Sequence, residues 1–340
     1  MNAKRPLIGI SIGDPAGIGP EITARALSLE ATYEVCRPLA VGDASVMADA
    51  VRIAGLALQV RAVASPAEGQ YQPGAMDVLD MANVDLERLQ YGRISAECGR
   101  AAFEYVKKVI ELALAREIDG TVTGPIHKEA LNTAGFHYAG HTEIYADLTQ
   151  TRDYTMMLAD GPFRVVHVST HVSLREACDR VRMPRVLRVI QLADAALRRM
   201  GMARPRIAVA GLNPHCGEGG LFGHEDAGEI APAVEEARRQ GLDVEGPIPA
   251  DTVFPKMRGG QYDVVVAMYH DQGHIPTKLS AFQYDDTTRS WNAVSGVNVT
   301  LGLPIIRVSV DHGVAFDRAG QGRANPQSLI QAIHLAAQMA

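Results

Sequence analysis

Apolar and polar positions alternate along this chain in two patterns. Short, continuous apolar runs rich in β-branched residues mark strands buried on both faces. They occur at Leu7–Ile12, Cys36–Val41, Leu56–Val63, Thr121–Thr123 and Val264–Met268, and the stretch Gly296–Val310 supplies one or two more. Between them, apolar residues recur at helical spacing, as at Ala102, Val106, Val109, Ile110 and Ala113 within Ser95–Arg116. Further helices are expected at Ala44–Ala54, Val186–Met200 and Glu225–Gln240, with a last one starting near Pro326. Strands alternating with helices predict an α/β fold built on a parallel or mixed sheet.

Three of the runs end in the same way. Val264–Met268 stops abruptly and His270, Asp271, Gln272, Gly273 and His274 follow; Phe163–Thr170 runs into His171, and Arg206–Pro214 into His215. Ligands in α/β proteins bind just beyond the carboxyl ends of strands. If these strands are neighbours, His171, His215 and His270 meet at one edge of the sheet as a three-imidazole site for a divalent metal. Any one such histidine alone is more often a hydrogen-bonded loop residue.

Other segments are less specific. Gly13–Glu21 is a glycine-rich turn from strand to helix whose amino end can face an anion, but Gly17 and Gly19 lack the third glycine of a dinucleotide fingerprint. Gly135–Glu143 is rich in polar residues; Lys128, His141 and Thr142 are donors of the kind phosphate and carboxylate sites use, or else parts of a solvated loop. Pro247–Phe254 reads as a rigid loop carrying Asp251, and Gly217–Gly223 as a flexible one.

Composition narrows the choice of partners. The 340 residues suit two domains or one large cleft-bearing unit, and the 47% apolar content is that of an ordinary core. A net charge of −6 without any basic run argues against nucleic acid. No apolar segment is long enough to cross a membrane. Cys36, Cys98, Cys178 and Cys216 are scattered and the amino end has no signal-peptide pattern, so a reduced, cytoplasmic protein is expected.

Taken together, Gly13–Glu21, Thr123–Lys128, Gly140–Glu143, Gly211–His215, Met268–Gly273 and Ser309–Gly313 occur in the order of the 4-hydroxythreonine-4-phosphate dehydrogenase family, and the resemblance covers essentially the whole chain. It implies two α/β/α domains with a cleft between them, like isocitrate and isopropylmalate dehydrogenases. The first would comprise residues 1–140 plus 296–340, and the second residues 141–295, with the metal-ligand histidines and dimer contacts. It implies a homodimer with the active site at the subunit interface, NAD or NADP as cofactor, and a divalent metal such as zinc, cobalt, magnesium or manganese. His171, His215 and His270 carry over as metal ligands. His141, Thr142, Lys278, Asn298 and Arg307 carry over as contacts to a small phosphorylated hydroxy acid. His312, Gly313, Asp317 and Asn325 fall in a loop that looks like the adenosine-binding loop of β-decarboxylating dehydrogenases. The implied reaction oxidises and decarboxylates a 4-phosphorylated four-carbon 3-hydroxy acid, with Lys278 or Asp251 as base.

Two departures leave the substrate open. His274-Ile-Pro replaces a Leu-Pro-Val type of run and resembles the branch acting on D-threonate or D-erythronate 4-phosphate, which yields dihydroxyacetone phosphate. Residues 283–295, with Asp285, Asp286 and Trp291, look like an insertion that forms either a lid or a surface loop. A three-histidine metallohydrolase with Asp271 as base and a non-catalytic metabolite sensor are the readings from other classes; neither accounts for the 312–326 loop together with Lys278 and Arg307.

Overall fold

The computed structural model describes residues 5–287, 290–294 and 296–340, with 283–285 and 290–294 followed as backbone only. The chain divides into two compact units, Met1–Arg152 with Leu303–Ala340, and Asp153–Gly302. The division falls beyond residues 140 and 295 for a packing reason. Helix His141–Leu148 buries Ile144 and Tyr145 in the first unit's core, whereas residues 297–301 pair with a strand of the second.

In the first unit, β1 (Leu7–Ser11), β2 (Arg37–Gly42), β3 (Gln59–Val63), β4 (Ala75–Asp80), β5 (Gly120–Thr123) and β14 (Arg307–Val310) lie in the order β3-β4-β2-β1-β5-β14, each pair parallel. Continuous apolar runs suit such strands because both faces are covered. The amphipathic helix Ala96–Leu114 is one of the covers, its amino end capped by Ser95 Oγ, which accepts from Glu97 N at 3.2 Å. Strand β4 has no counterpart among the apolar runs. Asp77 interrupts its pattern, yet that carboxylate is buried, accepting from Gln70 N and Tyr71 N at 3.0 and 2.7 Å and pairing with Arg61. A satisfied buried charge reads as a loop residue until its partners are seen.

The second unit contains β6 (Thr155–Asp160), β7 (Phe163–His167), β8 (Ile207–Ala210), β9 (Val244–Ile248), β10 (Val264–Ala267) and β13 (Val297–Leu301), ordered β13-β6-β7-β10-β8-β9. The β13-β6 and β6-β7 pairs are antiparallel, and the rest are parallel. A separate hairpin joins β11 (Phe282–Asp285) to β12 (Ser290–Val294). The lid reading of the insertion depends on side chains outside the described residues. The loop expected at Pro247–Phe254 is helical from Ala250, with Asp251 in the first turn of helix Ala250–Arg258, and His270 opens helix His270–Ala281. Among the described residues no helix is long and apolar enough to cross a membrane.

Candidate active site

The second unit places the strand-end histidines in a consistent way. Strands β7, β10 and β8 are adjacent and parallel, so their carboxyl ends emerge side by side. His171 follows β7, His270 follows β10 and His215 follows β8. The rings of His171 and His270 lie 5.8 Å apart, and both line one pocket with Thr170, Ser173, Tyr269 and Asp271. Among the described residues no three His, Cys, Asp or Glu side chains close to coordinating geometry.

Carboxylates orient two of these imidazoles. Asp271 Oδ1 is 2.7 Å from His270 Nδ1, and Glu218 Oε2 is 3.1 Å from His215 Nδ1. An ionised carboxylate only accepts, so each Nδ1 carries the proton and Nε2 is left as the available ring nitrogen. The backbone at His215 is unusual. His215, Cys216 and Glu218 have φ values of 53°, 56° and 42°, which non-glycine residues rarely adopt. Asp226 pins the start of this turn, its buried carboxylate accepting from Leu212 N at 2.8 Å and from Asn213 N and Nδ2 at 3.0 Å. Gln272 ties two strand exits together, accepting from Met268 N at 2.7 Å and donating to Gly211 O at 2.8 Å. The hydrophobic pattern cannot reveal either residue, because each acts through hydrogen bonds to backbone groups of another segment, Leu212 and Asn213 for Asp226 and Gly211 for Gln272.

Asp251, exposed at the start of its helix, lies near the same turn; burial, then Asp226 and Asp251, push the Cys216 thiol up to about 11. Lys278 Nζ sits 4.9 Å from the centre of the Phe282 ring. Asn298 on β13 donates to Met156 Sδ.

The first unit contains a buried cation with a buried imidazole beside it. Arg307 opens β14 and is 3% exposed. Its guanidinium lies 5.7 Å from the centre of the Tyr145 ring and donates to Thr123 Oγ1 at 3.4 Å, while Tyr145 Oη donates to Thr121 Oγ1 at 2.9 Å. Burial lowers the Arg307 pKa to about 10, so it stays charged near neutrality. His141 lies at the start of helix His141–Leu148, followed by Thr142, where a solvated loop was the alternative. Burial, then the Arg307 charge, hold its imidazole well below its ordinary range, and its Nε2 is buried without a hydrogen-bond partner. A neutral imidazole beside a buried cation leaves room for an anion, whose charge favours protonation.

The 312–326 loop is anchored over the glycine turn that opens helix Gly19–Leu27. Ile18 N donates to Val314 O at 3.0 Å and Gly320 N to Glu21 Oε1 at 2.7 Å, and Phe316 stacks on His127 at 4.8 Å. The helix amino end is therefore covered by this loop, so the anion reading of Gly13–Glu21 gives way to a structural one. Gly19 is required there, because a Cβ would lie 2.1 Å from Ile12 O. Within the loop, burial holds the His312 imidazole below its ordinary range, and its Nδ1 lies 3.0 Å from Gly313 O. Gly313 and Asp317 are exposed, and Asn325 Oδ1 accepts from Gln327 N at 2.9 Å at the start of helix Gln327–Met339.

Two α/β units of this kind form the fold of β-decarboxylating dehydrogenases. One from Thermococcus kodakarensis is similar with a TM-score of 0.50, covering 96% of this chain and 81% of its own at 15% identity, a likeness of fold alone. The family model described as "Pyridoxal phosphate biosynthetic protein PdxA" matches residues 34–336, and the chain belongs to this family of 4-hydroxythreonine-4-phosphate dehydrogenases. It is 44% identical over 341 residues to the D-threonate 4-phosphate dehydrogenase of Cupriavidus necator, covering 100% of this chain and 99% of the relative. It is 43% identical to the solved 4-hydroxythreonine-4-phosphate dehydrogenase of Klebsiella pneumoniae, with a TM-score of 0.87 and coverage of 100% and 99%. The protein is accordingly a dehydrogenase.

Proposed function

We propose that this enzyme oxidises and decarboxylates a four-carbon 3-hydroxy acid carrying a 4-phosphate, using NAD or NADP and a divalent metal. D-threonate or D-erythronate 4-phosphate is the favoured substrate. The observation that carries the reading is the emergence of three histidines beyond three adjacent parallel strands, two of them with a carboxylate at Nδ1. Carboxylate-held imidazoles are what metal ligation uses. The preference for a sugar acid rests on the Cupriavidus relative and on His274. The Klebsiella structure supports a second reading, 4-hydroxythreonine 4-phosphate.

His171, His215 and His270 would hold a divalent cation, which when bound would supply Lewis acidity toward the substrate hydroxyl. His312, Gly313, Asp317 and Asn325 would hold the adenosine end of the dinucleotide, whose nicotinamide would supply the hydride acceptor. The protein's residues do the rest. Arg307, His141 and Thr142 bind an anionic end of the substrate, with Arg307 keeping its charge throughout. Asn298 and Lys278 hold the carbon chain. Lys278, or Asp251 through water, takes the hydroxyl proton as hydride leaves the same carbon. The keto acid then breaks its bond to the carboxylate, carbon dioxide leaves, and the resulting enolate is protonated.

The test is NADH or NADPH formation by metal-loaded protein with D-threonate, D-erythronate and 4-hydroxythreonine 4-phosphates, each with and without chelator. Chelator-sensitive turnover of the sugar acids by at least about tenfold over the amino acid is expected, a gap of about 1.4 kcal/mol. Preference for the amino acid establishes the second reading. Turnover that survives full metal removal overturns the metal's part.

A further inference from the structure

Two histidines behind His270 take no part in the reaction proposed above. His274 lies four residues along the helix, so both side chains share one face. Their rings are stacked, with centroids 3.6 Å apart and 11° between planes. His274 Nδ1 lies 3.0 Å from His270 O and donates to it, which holds the His274 ring in register with the first turn. His167, wholly buried at the end of β7, lies behind, its ring 4.7 Å from that of His274. Its Nδ1 faces Met156 O at 3.4 Å. Gly273 permits this approach, because a Cβ there would fall 2.3 Å from His167 Nε2. Glycine in a helix interior is unfavourable by roughly 1 kcal/mol relative to alanine. Its presence here gives three imidazoles a continuous line from the pocket into the core.

We propose that His274 is a positioning residue for His270. The stack, backed by His167, fixes one face of the His270 ring, while Asp271 fixes its rotation through Nδ1; Nε2 is thereby aimed before a divalent cation arrives. The inference rests on His270 being a metal ligand. His270 is 37% exposed, and a ring so open has rotamer freedom to lose on binding. A ring already clamped loses less, which tightens binding without any added contact. Support behind a ligand of this kind is typically worth about 10- to 100-fold in metal affinity.

The experiment uses cobalt(II) alone as probe, titrated calorimetrically and by visible absorption into metal-free full-length protein and the variants His270→Ala, His274→Leu and His274→Phe. His270→Ala should lose site-specific cobalt binding. His274→Leu should bind about 10-fold or more weakly with an altered visible band. His274→Phe retains a flat ring and should recover binding to within a few-fold of the parent. Should His274→Leu fail to fold, the phenylalanine variant still decides: cobalt affinity lowered by 10-fold or more in that variant removes the stack as the cause. Loss of cobalt in His270→Ala with parent-like binding in His274→Leu overturns the positioning role alone. Undiminished cobalt binding in His270→Ala overturns the metal reading on which it stands.

Discussion

Buried titratable residues in this protein are held in opposite directions by the same low-dielectric surroundings. His167 is driven down to about 3 by burial, reinforced by His274, whereas burial pushes the Asp14 carboxyl up to about 6. Asp14 is wholly buried; Oδ1 accepts from Ala16 N at 2.9 Å and Oδ2 has no hydrogen-bond partner. Its folded-state pKa exceeds the ordinary value of 3.8, so its contribution to stability is full below that pH and is lost as pH rises through about 6. Asp14→Asn removes the charge that burial disfavours. Urea unfolding should show the variant gaining on the parent between about pH 4.5 and pH 8, by on the order of 2 kcal/mol. A pH-independent difference between the two would show that Asp14 titrates normally.

Among the elements, the turn carrying His215 combines several left-handed residues with a buried carboxylate at its start. Its left-handed backbone is unfavourable by itself, and the Asp226 carboxylate, by accepting three N–H groups at its start, holds it in place. Asp226→Ala leaves the Leu212 and Asn213 amides unmatched, while Asn213 Nδ2 keeps Glu225 Oε2. A loss of about 2–4 kcal/mol in denaturant unfolding is expected, with cobalt affinity falling as His215 loses its seat. Full stability in this variant would mean that the turn is held by other contacts. The loop 312–326 is likewise held from outside itself, by Glu21, the backbone at Ile18 and the His127 ring under Phe316.

For the molecule as a whole, self-association is a proposal that the exposed apolar residues of the second unit support. Leu174, Leu221, Ile275 and Leu279 are 62–82% exposed, and all belong to the second unit; Ile275 and Leu279 are four apart on one helix. Such residues in water favour an interface. We expect size-exclusion chromatography with light scattering to give a dimer for the parent and a shift toward monomer for Leu279→Glu. A monomeric parent would rule out the dimer.

Much of the fold is legible in the amino-acid sequence because local patterns dictate local structure. The runs at Leu7, Val264 and Phe163 are strands, the Ala102–Ala113 periodicity faces the core, and long motifs in fixed order place the chain in its family. Where the sequence falls silent, the cause is distance along the chain. No apolar run marks the strand that holds Asp77, whose carboxylate is satisfied only by amides and an arginine outside that strand, and the strand-end pattern does not announce the helix that His270 opens. That β7, β10 and β8 are neighbours, and that His167 backs His274, depends on segments many tens of residues apart in the chain coming together. Hydrophobic periodicity says which face of an element is buried; only tertiary packing decides what it is buried against.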